Sequence, residues 1–442
     1  MYTIFAVALF PDRNQEFLKH LCQNFRVIMF GGNRFETSDD LHVEAAEELL
    51  KEKNEILSDE EFAWELHKCA AFSQEKLLDL MPNEVPPPLR YEEFSDMYKR
   101  ALTAVWPAYI FRQLAKHIKI DMVIGNADYS GFTRPTVIEA KRQGIPTLDI
   151  EHGYMAVRWE PEAYQSNFTG EFLFISDYVN LDNELEKQLW QKHAVQFKPQ
   201  PHVTFLTHGT PNDVSFEHTL SREEAVRALN LNKEKFTVTI ASGWVEARLP
   251  TLAIKGQIDE VEFFHDVLRS LSYFSERERL QIILKLHPAY APKQIFADAR
   301  NYLNHFADEL GLEIVLVTHT HLAEVLSASN LIISPDCSSI LWEGFLGFTP
   351  GIIYPYRNSF NPFRKEKLNS SNVLFREGCL RYVFEPREIQ DVIQHFLDPK
   401  NRASYKKINA KVREKYHIRP LTAEEKSRKI CAWIKQTLEF GH

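Results

Sequence analysis

The feature that most constrains this 442-residue chain is a series of short, largely apolar runs, most of them closed by glycine, proline or a polar residue. Strands that are apolar on both sides need cover on both faces, which parallel sheets with crossover helices provide. In the first half the runs are Met1–Phe10, Phe25–Phe30, Asp121–Gly125, Thr147–Ile150, Phe172–Ile175 and Val203–Leu206. In the second they are Phe236–Ile240, Leu280–Leu286, Leu312–Val317, Leu331–Ser334 and Gly351–Tyr354. Helical spacing places helices between them at Pro135–Gln143, Asn180–Ala194, Val261–Ser275, Lys293–Leu310, His321–Ala328 and Ser339–Leu346. Residues 38–119 break this rhythm. They are acidic and helix-forming, interrupted at Val85-Pro-Pro-Pro88, and read as a helical insertion with a solvated charged face.

A chain of this length exceeds one ordinary core. The expected fold is therefore α/β, with two Rossmann-like parallel-sheet domains facing a cleft. The first spans residues 1–212, including the insertion at about 38–119, and the second spans 213–418. A carboxy-terminal helix, 419–442, is in a position to return to the first. Ligands are expected at the carboxyl ends of the strands. With 44% hydrophobic and 26% charged residues the chain is globular rather than disordered. A net charge of -9 argues against a nucleic-acid partner and leaves any basic surface local. Cys22, Cys69, Cys337, Cys379 and Cys431 form no CxxC pair, which disfavours a disulfide framework or a zinc ribbon and suits a reducing compartment. Met1–Phe10 lacks a basic flank and reads as a buried strand, not a signal peptide. Ala101–Phe111 is about half the length needed to cross a bilayer. The expected location is cytoplasmic.

Polar residues gather where the second-half strands end. Lys285-Leu286-His287-Pro288 closes one strand, with Pro288 removing a backbone donor and turning the chain. Ser334-Pro-Asp336-Cys-Ser338-Ser339 closes another and opens a helix carrying Trp342 and Glu343. Hydroxyls and free amides at a helix start favour an anion such as phosphate. Ser242-Gly243 supplies a third turn, where glycine allows close backbone approach. Ser338 and Ser339 could equally cap a helix, and His287 could be a turn histidine; three polar strand ends in one sheet favour the site. In the first half, Glu151-His152-Gly153 ends a strand. His152 beside Glu151 suits a base taking a proton from a hydroxyl, with a structural turn histidine as the alternative. Asp128 and Arg134, after the preceding strand, could contribute contacts to an acceptor. His319-Thr-His321 lacks a completing ligand and reads as a helix cap. The dinucleotide, P-loop and nucleophile-elbow glycine motifs are absent, and no DxD triplet ends a strand, so no metal or cofactor is expected.

The order His152-Gly153, Gly209-Thr-Pro-Asn-Asp213, Lys285–Pro288, then Asp336-Cys-Ser338-Ser339 with Glu343 resembles the GT-B glycosyltransferases of bacterial surface polysaccharides. The nearest resemblance is to CDP-glycerol glycerophosphotransferases of teichoic acid and capsule synthesis. A looser one links it to the sialyltransferases and Kdo transferases that use CMP-sugars. It covers residues 120–355 and implies a nucleotide-activated donor of CDP, CMP or UDP type. It implies a base or acceptor-side role for His152, and donor-phosphate contacts from His287 and the paired serines. Three departures leave the donor open. His152-Gly153 is followed by Tyr154 where the glycerophosphotransferases have threonine, and Cys337 stands where they have tyrosine. The paired acids followed by glycine that supply the sialyltransferase base are absent, unless Glu151 substitutes.

Three readings follow: a metal-independent transferase acting on a glycan or lipid-linked acceptor, a UDP-sugar 2-epimerase, and a non-catalytic glycan-assembly protein. One further feature is local. Between Pro399 and Lys435 there are 12 Lys or Arg against three acids. This segment reads either as helices closing the fold or as a basic face for an anionic membrane surface, with peripheral attachment at the inner face of the cell membrane.

Overall fold

The structure, a computed structural model, describes residues 1–7, 15–30, 43–52, 106–126, 133–151, 174–194, 202–211, 220–242, 250–286, 294–317, 322–335, 339–355, 373–419 and 421–440. The chain divides into two units. One comprises Met1–His152, Phe168–Asp213 and Leu421–His442; the other comprises Gly153–Asn167 and Val214–Pro420.

The first unit holds β1 (Thr3–Val7), β2 (Arg26–Phe30), β3 (Val43–Ala45), β4 (Met122–Gly125), β5 (Thr147–Ile150), β6 (Tyr178–Asn180) and β7 (Thr204–Leu206). They form one sheet in the order β3-β2-β1-β4-β5-β6-β7, and every neighbouring pair is parallel. Because successive side chains alternate faces, β1 serves two cores at once. Ile4 and Ala6 join Val27, Met29, Met122 and Ile124 against Phe17, Leu18 and Leu21 of the helix Gln15–Asn24. Ile430, Cys431 and Ile434 of the carboxy-terminal helix Ala423–Phe440 complete that face. Phe5 and Val7 join Ile28, Phe30 and Val123 on the other, with Phe111 edge-on to Phe5 at 5.2 Å.

Two strands of this sheet differ from expectation. Val43–Ala45 lies in the stretch read as purely helical, and it pairs with β2 at the sheet edge. Its Glu44 accepts from Arg26 Nε at 2.6 Å and from the terminal guanidinium nitrogen at 2.8 Å. Three residues carry too little period-2 signal, and glutamate reads as a helix former. Of the strand expected at Phe172–Ile175, residues 172 and 173 lie outside the described residues and Phe174 and Ile175 are not in a strand. The strand is Tyr178–Asn180, and the following helix begins at Glu184 rather than Asn180. Phe174 is a core residue ahead of the strand, its ring centroid 4.5 Å from that of Trp190. Asp177 fixes the entry by accepting from Thr147 N at 3.0 Å and Thr147 Oγ1 at 2.8 Å.

The second unit holds β8 (Phe236–Ala241), β9 (Leu280–Lys285), β10 (Ile314–Val317), β11 (Leu331–Ser334), β12 (Gly351–Ile353) and β13 (Leu380–Tyr382). They order as β10-β9-β8-β11-β12-β13, again all parallel. β13 is a short edge strand that the sequence did not announce. Val238, Ile240, Ile282, Leu284 and Ile333 pack on Phe264, Val267 and Leu268 of the helix Pro250–Ser272 and on Ile389 and Ile393 of the helix Pro386–Leu397. Ile283 and Val317 face Ala225, Val226, Val325 and Ala328 on the opposite side.

Counted from its own first strand, each sheet begins 3-2-1-4-5-6. Chain direction across the sheet reverses between strands 1 and 4, and the carboxyl ends of those strands open a crevice. In the first unit these are β1 and β4, and in the second β8 and β11.

Candidate functional site

In the second unit, three adjacent strands around the switch point end in polar residues. Ser242 follows β8, Lys285 ends β9 and Ser334 ends β11; all three are buried. Ser242 N donates to Lys285 O at 2.8 Å, and Leu286 N donates to Val317 O at 3.0 Å, so the backbone is fixed up to the last residue before His287. Ser334 is fully buried, and among the described residues its Oγ has no hydrogen-bond partner. The sequence marks Ser334 only as the start of the motif that runs to Ser339; its place as the last, polar residue of a strand is the signal that singles it out.

The helix Ser339–Leu346 continues from this strand end. Its carboxyl end is closed by several contacts at once. Thr349 N donates to Gly344 O at 2.8 Å and Phe348 N to Phe345 O at 3.2 Å, with Phe348 in the left-handed region at φ 60°. Asn409 Nδ2 donates to Phe345 O at 2.7 Å, and Arg413 donates to Leu346 O at 3.0 Å while lying over the Phe348 ring. Gly344 lets the helix sit tightly on β11, since a Cβ there would come within 2.6 Å of Ile332 Cδ1. Trp342 and Glu343 are buried, whereas Ser339 at the amino end is exposed. The start of this helix, the positive end of its dipole, lies next to the end of β11. Gly243, His287, Pro288, Asp336 and Ser338 lie outside the described residues.

In the first unit, a hydrogen-bonded network spans the ends of β4 to β7. Asn126 Nδ2 donates to Ile150 O at 2.8 Å, and Thr133 Oγ1 donates to Asn126 O at 2.8 Å. Arg134 follows on the helix Thr133–Arg142 and is half-buried. Glu151 is 1% exposed. Its backbone N donates to Asn180 O at 3.1 Å, and its carbonyl accepts from Thr210 Oγ1 at 3.2 Å. Asn180 in turn donates to Gly209 O at 2.7 Å and accepts from His208 N at 3.1 Å. Asp182 Oδ1 accepts from Thr210 N at 3.2 Å and from Lys426 Nζ at 3.1 Å. Gly209 has φ +96°, and any Cβ there would lie 2.6 Å from Lys426 Cγ, so only glycine passes beneath this lysine. Asp128 and His152 lie outside the described residues, but Glu151 is built into a rigid strand end directly before His152.

Sequence reasoning missed Asn180, Asp182 and Lys426. By sequence Lys426 belongs to the basic segment, yet it is 6% exposed and ion-paired with Asp182 from 244 positions away. His208 packs near Trp433, with ring centroids 6.4 Å apart. Burial, and then the nearby Lys429 charge, hold its imidazole below the usual value. Among the described residues no group of three or more His, Cys, Asp or Glu is placed to hold a metal ion. No helix of the described residues is long and apolar enough to cross a membrane.

No protein-family model matches the sequence, and no curated protein matches it. Solved structures do match over the whole chain. The S. aureus MnaA structure with UDP superposes with a TM-score of 0.55 at 11% identity, covering 100% of this chain and 98% of that one. A UDP-N-acetylglucosamine 2-epimerase from Listeria monocytogenes, assigned provisionally, gives 0.54 at 11% identity, covering 100% and 97%. A glycosyltransferase from Rickettsia africae gives 0.52 at 12% identity, covering 100% and 99%. With its two parallel sheets, each wound about its own switch point, the chain has the α/β fold of the GT-B glycosyltransferases and their epimerase relatives.

Proposed function

We propose that this protein is a GT-B transferase that moves a sugar or glycerol-phosphate from a nucleotide-activated donor to a bacterial surface-glycan acceptor, without a metal ion. The observation that carries this reading is the set of polar strand ends about the second switch point: Ser242, Lys285 and Ser334, beside the helix start at Ser339. That arrangement suits the phosphates of a bound nucleotide. The fold likeness to a structure that contains UDP supports the same ligand class. In this reading Lys285, His287, Ser338, Ser339 and the helix-start amides stabilise the charge developing on the leaving nucleotide, a task that metals perform in other transferases. Gly243 and Pro288 shape the turns, and Asp336 and Glu343 complete the donor side. In the first unit, His152 takes the proton from the acceptor hydroxyl, or positions the hydroxyl for Glu151. Asp128 and Arg134 contact the acceptor.

The test is a thermal-shift series with CMP, CDP, UDP and GDP, followed by turnover with the nucleotide-sugars that stabilise. A ligand at 100 times its Kd adds about 2.7 kcal/mol to stability. His287→Ala is expected to lower turnover about 10²–10³-fold while the protein stays folded, and EDTA is expected to leave turnover intact. Full activity in His287→Ala, or a requirement for added divalent metal, overturns the donor-site assignment. The absence of any shift with all four nucleotides favours a non-catalytic glycan-assembly protein. A second reading, a UDP-sugar 2-epimerase, has the Listeria likeness in its favour. Conversion of a UDP-sugar alone, with no acceptor present, would select it.

A further inference from the structure

The basic segment near the carboxy terminus is divided between the two units, and the division changes what it can do. In the helix Ala423–Phe440, Lys426 is buried against Asp182 and Ile430 and Ile434 are core residues. The helix Pro399–Lys415, in the other unit, carries seven cations and one acid. Three of those cations are engaged by their own unit. Arg402 bonds the carbonyls of Phe396 and Leu397, Arg413 bonds that of Leu346, and Lys415 pairs with Glu377.

The other four behave differently. Lys400, Lys406, Lys407 and Lys411 are all exposed and form no ion pair among the described residues. Lys400, Lys407 and Lys411 recur at helical spacing and make one stripe. The buried face, with Tyr405, Asn409 and Val412, points the other way. Tyr405 donates from its hydroxyl towards Thr349 O and Cys379 O, which anchors the helix and fixes the outward face. Between the lysines the exposed residues other than Ile408 are small, namely Ala403, Ser404 and Ala410. Ile408 sits among them at 39% exposure.

We infer that this face of the helix Pro399–Lys415 docks the protein on an anionic lipid surface. On a chain of net charge -9, this local concentration of positive charge is what an anionic surface attracts. The choice of lipid over a soluble polyanion rests on Ile408. A bilayer interface takes up an apolar side chain while the lysine stems reach back to the headgroups, and a polyphosphate chain offers nothing apolar. Each lysine near such a surface changes partitioning about fivefold, and the attraction acts within a Debye length of about 8 Å at physiological salt.

The test is sedimentation of the full chain with vesicles of phosphatidylglycerol and phosphatidylcholine, against vesicles of phosphatidylcholine alone. Binding is expected to the anionic vesicles only, with release near 1 M salt. Replacing Lys400, Lys407 and Lys411 together by glutamine is expected to weaken it about 100-fold. Ile408→Ser is expected to weaken it severalfold. Unchanged melting temperatures show that the variants fold; should the triple variant melt early, Lys400→Gln with Lys407→Gln is expected to give about a 25-fold loss instead. Equal sedimentation with neutral vesicles overturns the proposal, as does full binding by the charge-depleted variants. Tighter binding to soluble polyphosphate than to anionic vesicles, with Ile408→Ser unaffected, assigns the face to a soluble polyanion and overturns the lipid assignment.

Discussion

Lys426 and Asp182 form a buried ion pair with both side chains 7% exposed, and its neighbours explain why it is tolerated. Asp182 also accepts from Thr210 N, so the carboxylate is held by a backbone amide as well as by the ammonium. A buried pair offers little net stability over apolar residues, but removing one partner strands the other. Lys426→Met is therefore expected to destabilise the first unit by about 3–5 kcal/mol, read from the urea midpoint. Adding Asp182→Asn should recover part of that loss, and no recovery would show that packing of the lysine stem against Gly209 dominates. His208 gives a second prediction. Its imidazole is held below the ordinary value of about 6.5 by burial and by Lys429, so the folded state prefers it neutral. Its contribution to stability is then complete above about pH 6.5 and is lost as pH falls through that value towards the lower folded one. Unfolding midpoints from pH 8 to pH 5 should fall more steeply for the wild type than for His208→Gln; parallel slopes would remove His208 as the cause.

At the scale of elements, the helix Ala423–Phe440 is the carboxy-terminal piece of a unit otherwise made from the first half of the chain. Its Ile430, Cys431 and Ile434 are buried beside the helix Gln15–Asn24, and Trp433 meets Tyr178 with ring centroids 4.7 Å apart. Burial of the two isoleucines and the cysteine alone contributes about 5 kcal/mol. Ending the chain at Pro420 is thus expected to expose one face of the first sheet while leaving the second unit with its own core. Amide exchange should show protection lost in β1, β2 and β4 and kept in β8, β9 and β11. Retained protection in both sheets would mean that the helix is an appendage. The helix was recognisable from its 3.6-residue apolar spacing. Its destination was not, because Asp182 and Gly209 carry no local sign that they await a lysine more than two hundred residues later.

For the whole molecule, the sequence by itself determined the α/β class and the placement of the fully buried strands. β5 and β11 have the bounds read from the sequence, since Leu148, Ile150 and Leu331–Ile333 carry the apolar signal of a strand covered on both faces even beside buried Asp149 and Ser334. The short edge strands β3 and β13 and the displaced β6 escaped it, since three residues at an edge need little hydrophobicity and are held by neighbours such as Arg26 and Asp177. At the candidate site, Glu151, Ser242 and Lys285 were legible as strand ends because each stands where an apolar run stops, the carboxyl edge of a parallel sheet at which ligands bind. Ser334 passed as part of a motif, and Asn180 and Asp182 were hidden in what looked like a helix start. Tertiary structure alone decided strand order, and with it which carboxyl ends lie beside one another at each switch point. It also decided which basic residues are spent inside the fold, as Lys426, Arg402 and Arg413 are, and which remain on its surface, as Lys400, Lys407 and Lys411 do. Composition counts these charges alike, but their role depends on the carboxylates and carbonyls that the fold brings within hydrogen-bonding distance.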